Sequence, residues 1–332
     1  MPEQSKSIAV RKRRAQLVYQ TRLGNMFAGL AEEVLAQPRL QRWRGQVQLL
    51  FTSPPFPLQR EKKYGNLQGE SFAAWLAGFA RLFTEYLAPD GSIVIELGNG
   101  WNPGLPTMST ASLKALLAFQ EAANLHLCQE FVCFNPARLP TPAEWVAVRR
   151  VRVKDSFTRV WWLASTPHPK ADNRRVLTDY SASMKKLLQR GTYNGGVKRP
   201  SEHHISTKAF LTNNGGAIPP NVLVPPSDHQ AFEPLSVLPI ANTSSNDPYR
   251  RACREQNVAG HPAVMPEPLV AFFVQFLTDP GDVVLDPFAG SNTTGYVAEK
   301  LDRRWLGIEA NRDYANSSKI RFEAHKEMKK AG

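Results

Sequence analysis

The 332-residue sequence contains little cysteine and has no long apolar run. Its three cysteines show no C-x-x-C spacing, so they give neither a disulfide framework nor a common metal or redox motif. No apolar run approaches the roughly 20 residues of a membrane span, and the basic start of the chain lacks the apolar middle of a signal peptide. With 42% hydrophobic and 21% charged residues, the composition predicts a globular protein of the cytoplasm.

Acidic residues are scarce in the middle of the chain, and basic residues are scarce near its end. Residues 138–199 hold fourteen Lys/Arg and four Asp/Glu, whereas residues 260–309 hold three Lys/Arg and seven Asp/Glu. The first 22 residues add six bases and one acid. Within a net charge of +12, this separation suggests a polyanionic partner for one region and a ligand that is not anionic for the other.

Alternating strand and helix patterns predict a parallel, doubly wound α/β sheet. A turn is predicted at 88–91, where the sequence is APDG. The predicted strands cover 47–51, 92–97, 125–134 and 157–164, and the predicted helices cover 70–87 and about 110–123. Aromatic residues recur at helical spacing on one face of the first helix and are assigned to the core: Phe72, Trp75, Phe79, Phe83 and Tyr86.

The stretch DPFAGSNTTG, residues 286–295, follows the apolar run DVVL and leads into a helix-like segment. A strand, a glycine-bearing turn and a helix form the usual cradle for a nucleotide-like cofactor. Such a cradle normally begins its domain, but only 37 residues follow it here. The upstream strands must therefore complete its sheet, which means that the order of the domain is permuted and the cofactor half comes last.

The cradle lacks the features that bind phosphate. A Walker loop ends in G-K-[ST], and a dinucleotide fingerprint has three glycines, but this stretch has no lysine and only Gly290 and Gly295. Instead, Asp286 ends one predicted strand and Glu309 ends the next, where an acid can accept hydrogen bonds from ribose hydroxyls. Two acids suit a cofactor with positive charge and no phosphate, such as S-adenosylmethionine. An ordinary strand-to-helix turn is the alternative.

A second motif, TSPPF at 52–56, directly follows a predicted strand. Its two prolines fix φ and remove two N–H donors, so neither a helix nor a sheet ladder can continue. The result is a rigid loop that presents the Ser53 hydroxyl, backbone carbonyls and the Phe56 ring at the edge of the sheet. Alone, it could simply end a strand. Both motifs in one chain form a specific combination, which an ordinary turn and a simple strand end do not explain.

In this combination the chain resembles the S-adenosylmethionine-dependent amino-methyltransferases of DNA. TSPPF and DPFAGSNTTG resemble motifs IV and I of that family, in the order of its permuted β class, and HPAVMPEPL at 261–269 resembles motif X. SPPF, in place of the acidic DPPY of many adenine enzymes, resembles the cytosine-N4 branch. Asn292 stands where glycine is commoner, and asparagine also tolerates a left-handed conformation. The resemblance extends from about residue 47 to 315.

The resemblance implies a Rossmann-like α/β methyltransferase sheet with permuted motif order and a loop-rich target-recognition insertion. It divides the chain into a basic arm with a helix before the first strand (1–46), a catalytic half (47–164), a target-recognition region (165–258) and a cofactor-binding half (259–332). The implied cofactor is S-adenosylmethionine and the implied partner is double-stranded DNA. A homodimer and a cognate restriction endonuclease are left open.

The resemblance also assigns residues to roles. The catalytic residues are Ser53, Pro54, Pro55 and Phe56. The cofactor-binding residues are His261, Pro262, Asp286, Pro287, Phe288, Gly290, Ser291, Asn292, Thr293 and Glu309. The candidate DNA contacts are Lys62, Lys63, Arg138, Arg149, Arg152, Lys198, Arg199, Ser201, His203 and His204, with RKRR at 11–14 as a nonspecific phosphate-binding arm. No metal ligands are expected.

Ser53 and the Pro54 carbonyl are expected to accept hydrogen bonds from the target amine, and Phe56 to stack on a base flipped out of the duplex. Carbon-5 methylation is not expected, because its cysteine nucleophile usually follows proline and none of the three cysteines does; all three are assigned to the core. Serine in the motif favours cytosine N4 but leaves adenine N6 open. An RNA or protein amide methyltransferase and a non-enzymatic DNA-binding protein are further alternatives.

Overall fold

The computed structural model describes residues 16–55, 69–135, 138–193, 206, 210–223 and 247–323. Its centre is a mixed nine-stranded sheet, and a small two-stranded sheet lies beside it. The strands are β1 (Gln16–Gln20), β2 (Gly24–Ala28), β3 (Val47–Thr52), β4 (Leu87–Gly98), β5 (Gly100–Trp101), β6 (Met108–Ser109), β7 (His126–Phe134), β8 (Phe157–Ala164), β9 (Val222–Leu223), β10 (Val283–Asp286) and β11 (Arg304–Glu309).

The α-helices are α1 (Ala31–Leu35), α2 (Pro38–Gln41), α3 (Gly69–Ala77), α4 (Ala80–Tyr86), α5 (Ala111–Ala122), α6 (Ala182–Arg190), α7 (Pro248–Glu255), α8 (Glu267–Leu277), α9 (Thr293–Lys300) and α10 (Arg312–Ser317). A π-helical turn covers Glu144–Val148 and a 3₁₀ turn covers Asn173–Val176. Among the described residues, no helix is both long and apolar enough to cross a membrane.

The strand order of the large sheet is β1-β2-β11-β10-β3-β4-β8-β7-β9. Strands β2, β11, β10, β3 and β4 are parallel neighbours, while β8 runs antiparallel between β4 and β7. The last two strands of the chain therefore lie between its second and third strands, with Val284 opposite Leu49. This topology confirms the predicted doubly wound fold with permuted order.

The central strands are apolar on both faces because helices cover both sides of the sheet. Side chains of a strand alternate between the two faces, so Leu50 packs into one apolar cluster and Leu49 and Phe51 into the other. The first cluster contains the buried aromatics of α3 and α4, and the second contains the apolar face of α8. Cys133 and Cys253 are buried, and the half-buried Cys128 packs against the second cluster.

Three local features differ from the sequence predictions. The helix expected at 70–87 is two helices that are separated at Gly78 and Phe79. The turn expected at 88–91 is an irregularity within β4, where Val47 pairs with Leu87 but Leu49 pairs with Ser92. The third difference is at 16–28, where two strands that the sequence analysis did not predict extend the sheet beyond β11.

The described part of the loop-rich region 165–258 is joined to the base of the sheet by charged side chains. Lys170 binds Asp279 and Asp282 at 2.6 and 2.7 Å, and Arg175 binds Asp279 at 2.6 Å. The acids lie in the connection between α8 and β10. The strand-like edge of the region is β9, which pairs with β7 through Val222 and Leu223. The region is thus held both at the base and at the edge of the sheet.

Candidate active site at the carboxyl edge of the sheet

A cavity of about 490 Å³ lies at the carboxyl ends of the parallel strands β3, β4, β10 and β11. Ligands bind at this edge in open α/β sheets, and cavities of roughly 300–1,000 Å³ hold cofactor-sized molecules. Of the residues assigned to roles in the sequence analysis, twelve line this cavity: Ser53, Pro54, Pro55, Arg138, His261, Asp286, Pro287, Phe288, Gly290, Ser291, Thr293 and Glu309.

Asp286 joins the two halves of the site. Its carboxylate accepts hydrogen bonds from the hydroxyls of Thr52 and Thr294, both at 2.7 Å, and from the backbone N–H of Phe288 at 3.1 Å. Thr52 is the residue before Ser53, so one hydrogen bond connects motifs that are 234 residues apart. Burial raises the pKa of Asp286 from 3.8 to about 6, although the three hydrogen bonds oppose that rise.

Glu309 shapes the turn around Gly290. Its two carboxylate oxygens accept from the backbone N–H groups of Gly290 at 2.9 Å and of Asn311 at 2.8 Å. Burial raises the pKa of Glu309. Gly290 has φ +51°, and a Cβ at this position would lie 3.1 Å from the His261 ring. A side chain here would therefore meet both backbone strain and an unusually tight contact with the ring, which explains the glycine.

Asn292 supports the turn from beneath and does not line the cavity. It adopts the left-handed conformation, with φ +53°, as expected from the motif. Its side-chain oxygen accepts from the backbone N–H of Gly295 at 3.1 Å and caps α9. Its amide nitrogen donates to the Tyr19 hydroxyl at 2.9 Å. Asn292 is fully buried, so its contribution to a cofactor site is to hold the shape of the loop.

Ser53 lies beside a carboxylate that the sequence analysis missed. Glu96, near the end of β4, is buried in the cavity wall. It accepts a hydrogen bond from the Thr158 hydroxyl at 2.9 Å and is also hydrogen-bonded to the side chain of Ser53. Burial raises the pKa of Glu96, while these hydrogen bonds and the charge of Arg138 lower it. The hydrogen bond with Ser53 lowers this pKa, as a hydroxyl that donates to a carboxylate does, so the Ser53 hydroxyl is the donor.

The signal for Glu96 was present in the sequence. It is the only ionisable residue in SIVIEL, an apolar run predicted to be the strand that follows, along the chain, the one that ends at TSPPF. Carboxyl ends of neighbouring parallel strands meet at one edge, so an acid there faces the same site. Other cavity residues carried no such signal and come from segments that only the fold brings near: Gly29 and Leu30 before α1, Ala31 and Glu32 in α1, Asn135 after β7, Thr158 in β8 and Arg250 in α7.

His261 is held by Tyr249 of α7 and by Tyr314 of α10. Its backbone N–H donates to the Tyr249 hydroxyl at 3.1 Å, and its ring meets the edge of Tyr314 with 4.8 Å between centroids.

The guanidinium of Arg321 lies 4.5 Å from the centre of the Tyr249 ring. Arg321 also donates to the Ser291 carbonyl at 2.8 Å and to its hydroxyl at 3.2 Å. Pro262 is exposed and lies outside the cavity lining.

We expect Arg321→Met to weaken binding to this cavity. The Arg321 side chain is only 2% exposed and pairs with Glu267 at 3.5 Å. Without Arg321, the Ser291 carbonyl loses a hydrogen-bond donor and the Glu267 carboxylate loses a partner. The loss costs about 1–3 kcal/mol. Isothermal calorimetry with S-adenosylmethionine should show weaker binding, and urea unfolding should show lower stability. Arg304→Met is the matched control, because the exposed Arg304 donates to the Gly281 carbonyl. Equal loss of affinity in both variants would contradict this role.

Three of the predicted DNA contacts are described. Arg138 lines the cavity and pairs with Asp155 at 3.0 Å. Arg149 is exposed and pairs with Glu144, whereas Arg152 lies 3.8 Å above the Trp101 ring and donates to the Pro106 carbonyl. The remaining predicted contacts and one catalytic residue lie outside the described residues: Phe56, Lys62, Lys63, Lys198, Arg199, Ser201, His203 and His204, as does the arm at 11–14.

Comparison with known proteins places these features in a wider group. A family model described as DNA methylase matches residues 47–320. The chain is 38% identical over 305 residues to the Type II methyltransferase M.PvuII of Proteus hauseri, covering 92% of this chain and 85% of that protein. The sequence alone predicts a resemblance to this enzyme in particular, through the stretches SPPFPLQREKKYGN, FNPARLP, EWVAVRRVRVKD, VWWLAS and GGAIPPN, and the comparison confirms it.

Solved structures agree with this similarity. A structure of the PvuII DNA methyltransferase, described as cytosine-N4-specific, superposes with a TM-score of 0.69 at 34% identity, over 92% of this chain and 88% of that one. The M1.HpyAVI complex with S-adenosylmethionine superposes with a TM-score of 0.50 at 16% identity, over 90% and 99% of the two chains. The second similarity supports the fold alone.

Proposed function

Because the chain belongs to the DNA methylase family, we propose that it transfers a methyl group from S-adenosylmethionine to the N4 amine of a cytosine flipped out of duplex DNA. One observation carries the proposal. The Ser53-Pro54-Pro55 loop and the Asp286 cradle, at opposite ends of the chain, share one cavity and are joined by the hydrogen bond from Thr52 to Asp286. A donor of methyl groups and its acceptor can therefore meet there.

The cavity residues fit S-adenosylmethionine. Asp286 and Glu309 supply two carboxylates for its α-amine and ribose hydroxyls, and each retains acceptor capacity beyond its present hydrogen bonds. Gly290 lets the ligand approach the backbone closely. No lysine lines the described cavity, and its two arginines already bind protein groups, Arg138 the Asp155 carboxylate and Arg250 the Pro262 carbonyl, which agrees with a cofactor that has no phosphate. When bound, the cofactor supplies an electrophilic methyl group on its sulfonium.

Ser53 and Glu96 orient the target amine. Glu96 holds the Ser53 hydroxyl as a donor, which turns the lone pairs of the Ser53 oxygen towards the cavity. That oxygen and the Pro54 carbonyl then accept the two hydrogens of the exocyclic amine. This arrangement directs the nitrogen lone pair towards the methyl group, so catalysis rests on positioning. As the C–N bond forms, the amine releases one proton, which the Ser53–Glu96 pair is placed to accept. Phe56 stacks on the flipped base.

Two observations favour cytosine over adenine. The motif carries serine where many adenine enzymes carry aspartate, and the relative that covers 92% of the chain has a solved structure described as cytosine-N4-specific. For DNA binding, we assign the exposed Arg149 and the undescribed basic residues of 198–208 to phosphate and base contacts. Arg138 and Arg152 each donate to a backbone carbonyl, of Phe157 and Pro106, and we assign them to holding the rim of the cavity.

Mass spectrometry of nucleosides tests the proposal directly. Unmethylated plasmid DNA is incubated with the protein and S-adenosylmethionine that carries a ¹³C-labelled methyl group, then digested to nucleosides. The expected product is labelled N4-methylcytosine, and single-molecule sequencing of the undigested plasmid should place it at one recurring sequence. Labelled N6-methyladenine would move the target to the alternative base, and labelled RNA or protein without labelled DNA would contradict the proposal. A parallel incubation without cofactor identifies methylation that was already present.

A further inference from the structure

A surface loop beside the cavity carries exposed aliphatic side chains that the proposed reaction does not use. The loop, residues 139–154, contains Leu139, Val148, Val151 and Val153, which are 76%, 68%, 61% and 87% exposed. No residue from 138 to 157 is buried. Soluble proteins seldom concentrate exposed aliphatics in this way unless the surface meets a partner. The segment 138–155 also holds five Lys/Arg and two Asp/Glu, so the aliphatics lie among positive charges.

Both ends of the loop are fixed at the rim of the cavity. Arg138, a cavity residue, pairs with Asp155 at 3.0 Å and donates to the Phe157 carbonyl at 3.0 Å. Asn99 donates to Asp155 at 2.8 Å. Asn135, just before the loop, also lines the cavity. The loop therefore projects from the same rim through which a substrate reaches Ser53.

The backbone holds the valines outwards. Arg152, between Val151 and Val153, stacks on the Trp101 ring at 3.8 Å and donates to the Pro106 carbonyl at 2.6 Å. The backbone N–H of Val151 donates to the Trp145 carbonyl at 3.0 Å. Arginine thus occupies the inner side of this segment, while the valine on either side of it faces solvent. The protein presents apolar side chains in a fixed place, which lowers the entropy cost of using them in binding.

We propose that Val151 and Val153 insert into the DNA duplex next to the target and fill the space that the flipped base leaves. The inference rests on the proposed function, because it requires base flipping. Apolar side chains that enter base steps stabilise unstacked DNA, and Arg149, Arg150 and Lys154 beside them match the phosphate charge. A protein partner would not explain why the loop is tied to the rim of the cavity. Duplex DNA must approach that rim in order to deliver a base.

The test uses the full chain with Val151→Ser and Val153→Ser combined. Leu117→Ser is the control, since Leu117 is 56% exposed on α5 and lies outside the cavity lining. The duplex carries the sequence that the wild-type protein methylates in plasmid DNA and is used to measure methylation. A second copy of it has pyrrolocytosine, a fluorescent cytosine analogue that pairs with guanine, at the target position and reports flipping. At saturating protein, the double variant should lower the flipped fraction and the single-turnover methylation rate about tenfold. A mismatch opposite the target should restore both to within about twofold, because flipping then costs less.

Several results would overturn the insertion. One such result is a double variant that behaves like Leu117→Ser on the matched duplex. Another is a double variant that binds DNA more weakly but has the wild-type flipped fraction at saturation. If the valines instead contact a second copy of the chain, light scattering should show a dimer for the wild-type protein and a monomer for the double variant, and flipping should be unchanged. The proposed function is tested separately, since wild-type protein that methylates no DNA would fail before any variant was compared.

Discussion

Ser53→Ala should lower the single-turnover rate of methyl transfer about 100-fold, within the usual range for a group that acts on the proton of a reacting atom. The dissociation constants for DNA and for S-adenosylmethionine should stay within about threefold of the wild-type values, because the reacting amine is the only part of either ligand that the hydroxyl meets. Rapid-quench methylation with labelled cofactor measures the rate, and calorimetry measures the binding. A rate equal to that of the wild type would leave the Pro54 carbonyl and Phe56 to orient the amine.

Glu96 extends this expected result, because it acts through Ser53. Its carboxylate is buried and accepts from the Thr158 hydroxyl at 2.9 Å as well as from Ser53. Glu96→Gln replaces one acceptor oxygen with a donor, which allows the Ser53 hydroxyl to rotate. We expect a loss in rate of about 100-fold, or roughly 2.7 kcal/mol in the barrier. The variant that combines Ser53→Ala and Glu96→Gln should be no slower than either single variant, since the effects of groups that act as a unit are not additive.

Glu130→Gln is the matched control for the charge change. Glu130 also lies on a strand of the large sheet and accepts hydrogen bonds from Arg159 and Trp161, but it does not line the cavity. The rate of methyl transfer by Glu130→Gln should stay near that of the wild type. If the losses from Ser53→Ala and Glu96→Gln multiplied in the double variant, the two residues would act independently, and Glu96 would need a separate role.

The sequence predicted those parts of the fold that depend on local pattern. Strand β3 and its abrupt end at Pro54 follow from an apolar run and two prolines, and the left-handed turn at Asn292 follows from motif chemistry. The permuted order followed from counting what remained after Gly295. For the strand end and the turn, the information lies within ten or so neighbouring residues, so periodicity and turn chemistry were sufficient. The permuted order required only the position of the motif in the chain.

Other parts depended on contacts between distant segments. Strand β1 is short and mostly exposed, and it is part of the sheet only because β2 pairs with β11. The interaction of Arg321 with Ser291 and Tyr249 joins three segments that no local pattern connects. The role of Glu96 also depended on topology, because its strand had first to be placed beside β3. Pairing between strands far apart in sequence is decided by tertiary packing, which a single sequence does not display.

Asp286 should make the protein less stable as the pH rises through about 6. Burial raises the pKa of this carboxyl from 3.8 to about 6 in the folded protein. Between these two values the folded state binds more protons than the unfolded state, so the free energy of unfolding falls as pH increases and levels off above the folded pKa. The whole effect is about 3 kcal/mol, of which about 1.4 kcal/mol falls between pH 5 and 7.5.

Asp286→Asn isolates this effect. Asparagine keeps the shape and one acceptor oxygen, so the hydrogen bonds from Thr52 and Phe288 can persist. Urea unfolding of both proteins across pH 5 to 7.5 gives the difference in free energy of unfolding at each pH. That difference should change by the amount expected for one carboxyl, because the free energy of unfolding of the wild-type protein falls relative to that of the variant as pH rises. A constant difference would mean that Asp286 titrates normally in the folded protein.

Cofactor binding should depend on pH in the opposite direction. A positively charged ligand favours the ionised carboxylate, so the affinity of wild-type protein for S-adenosylmethionine should increase as pH rises through about 6, by up to tenfold per unit. In Asp286→Asn the part of this slope due to Asp286 should vanish, and the slope that remains reports Glu309. S-adenosylhomocysteine, which keeps the α-amine but has no sulfonium, separates the two charges. If Asp286 binds the amine, both ligands should show the same slope in wild-type calorimetry. A slope seen with S-adenosylmethionine alone would place Asp286 near the sulfonium, and a slope unchanged by the substitution would remove Asp286 from the cofactor site.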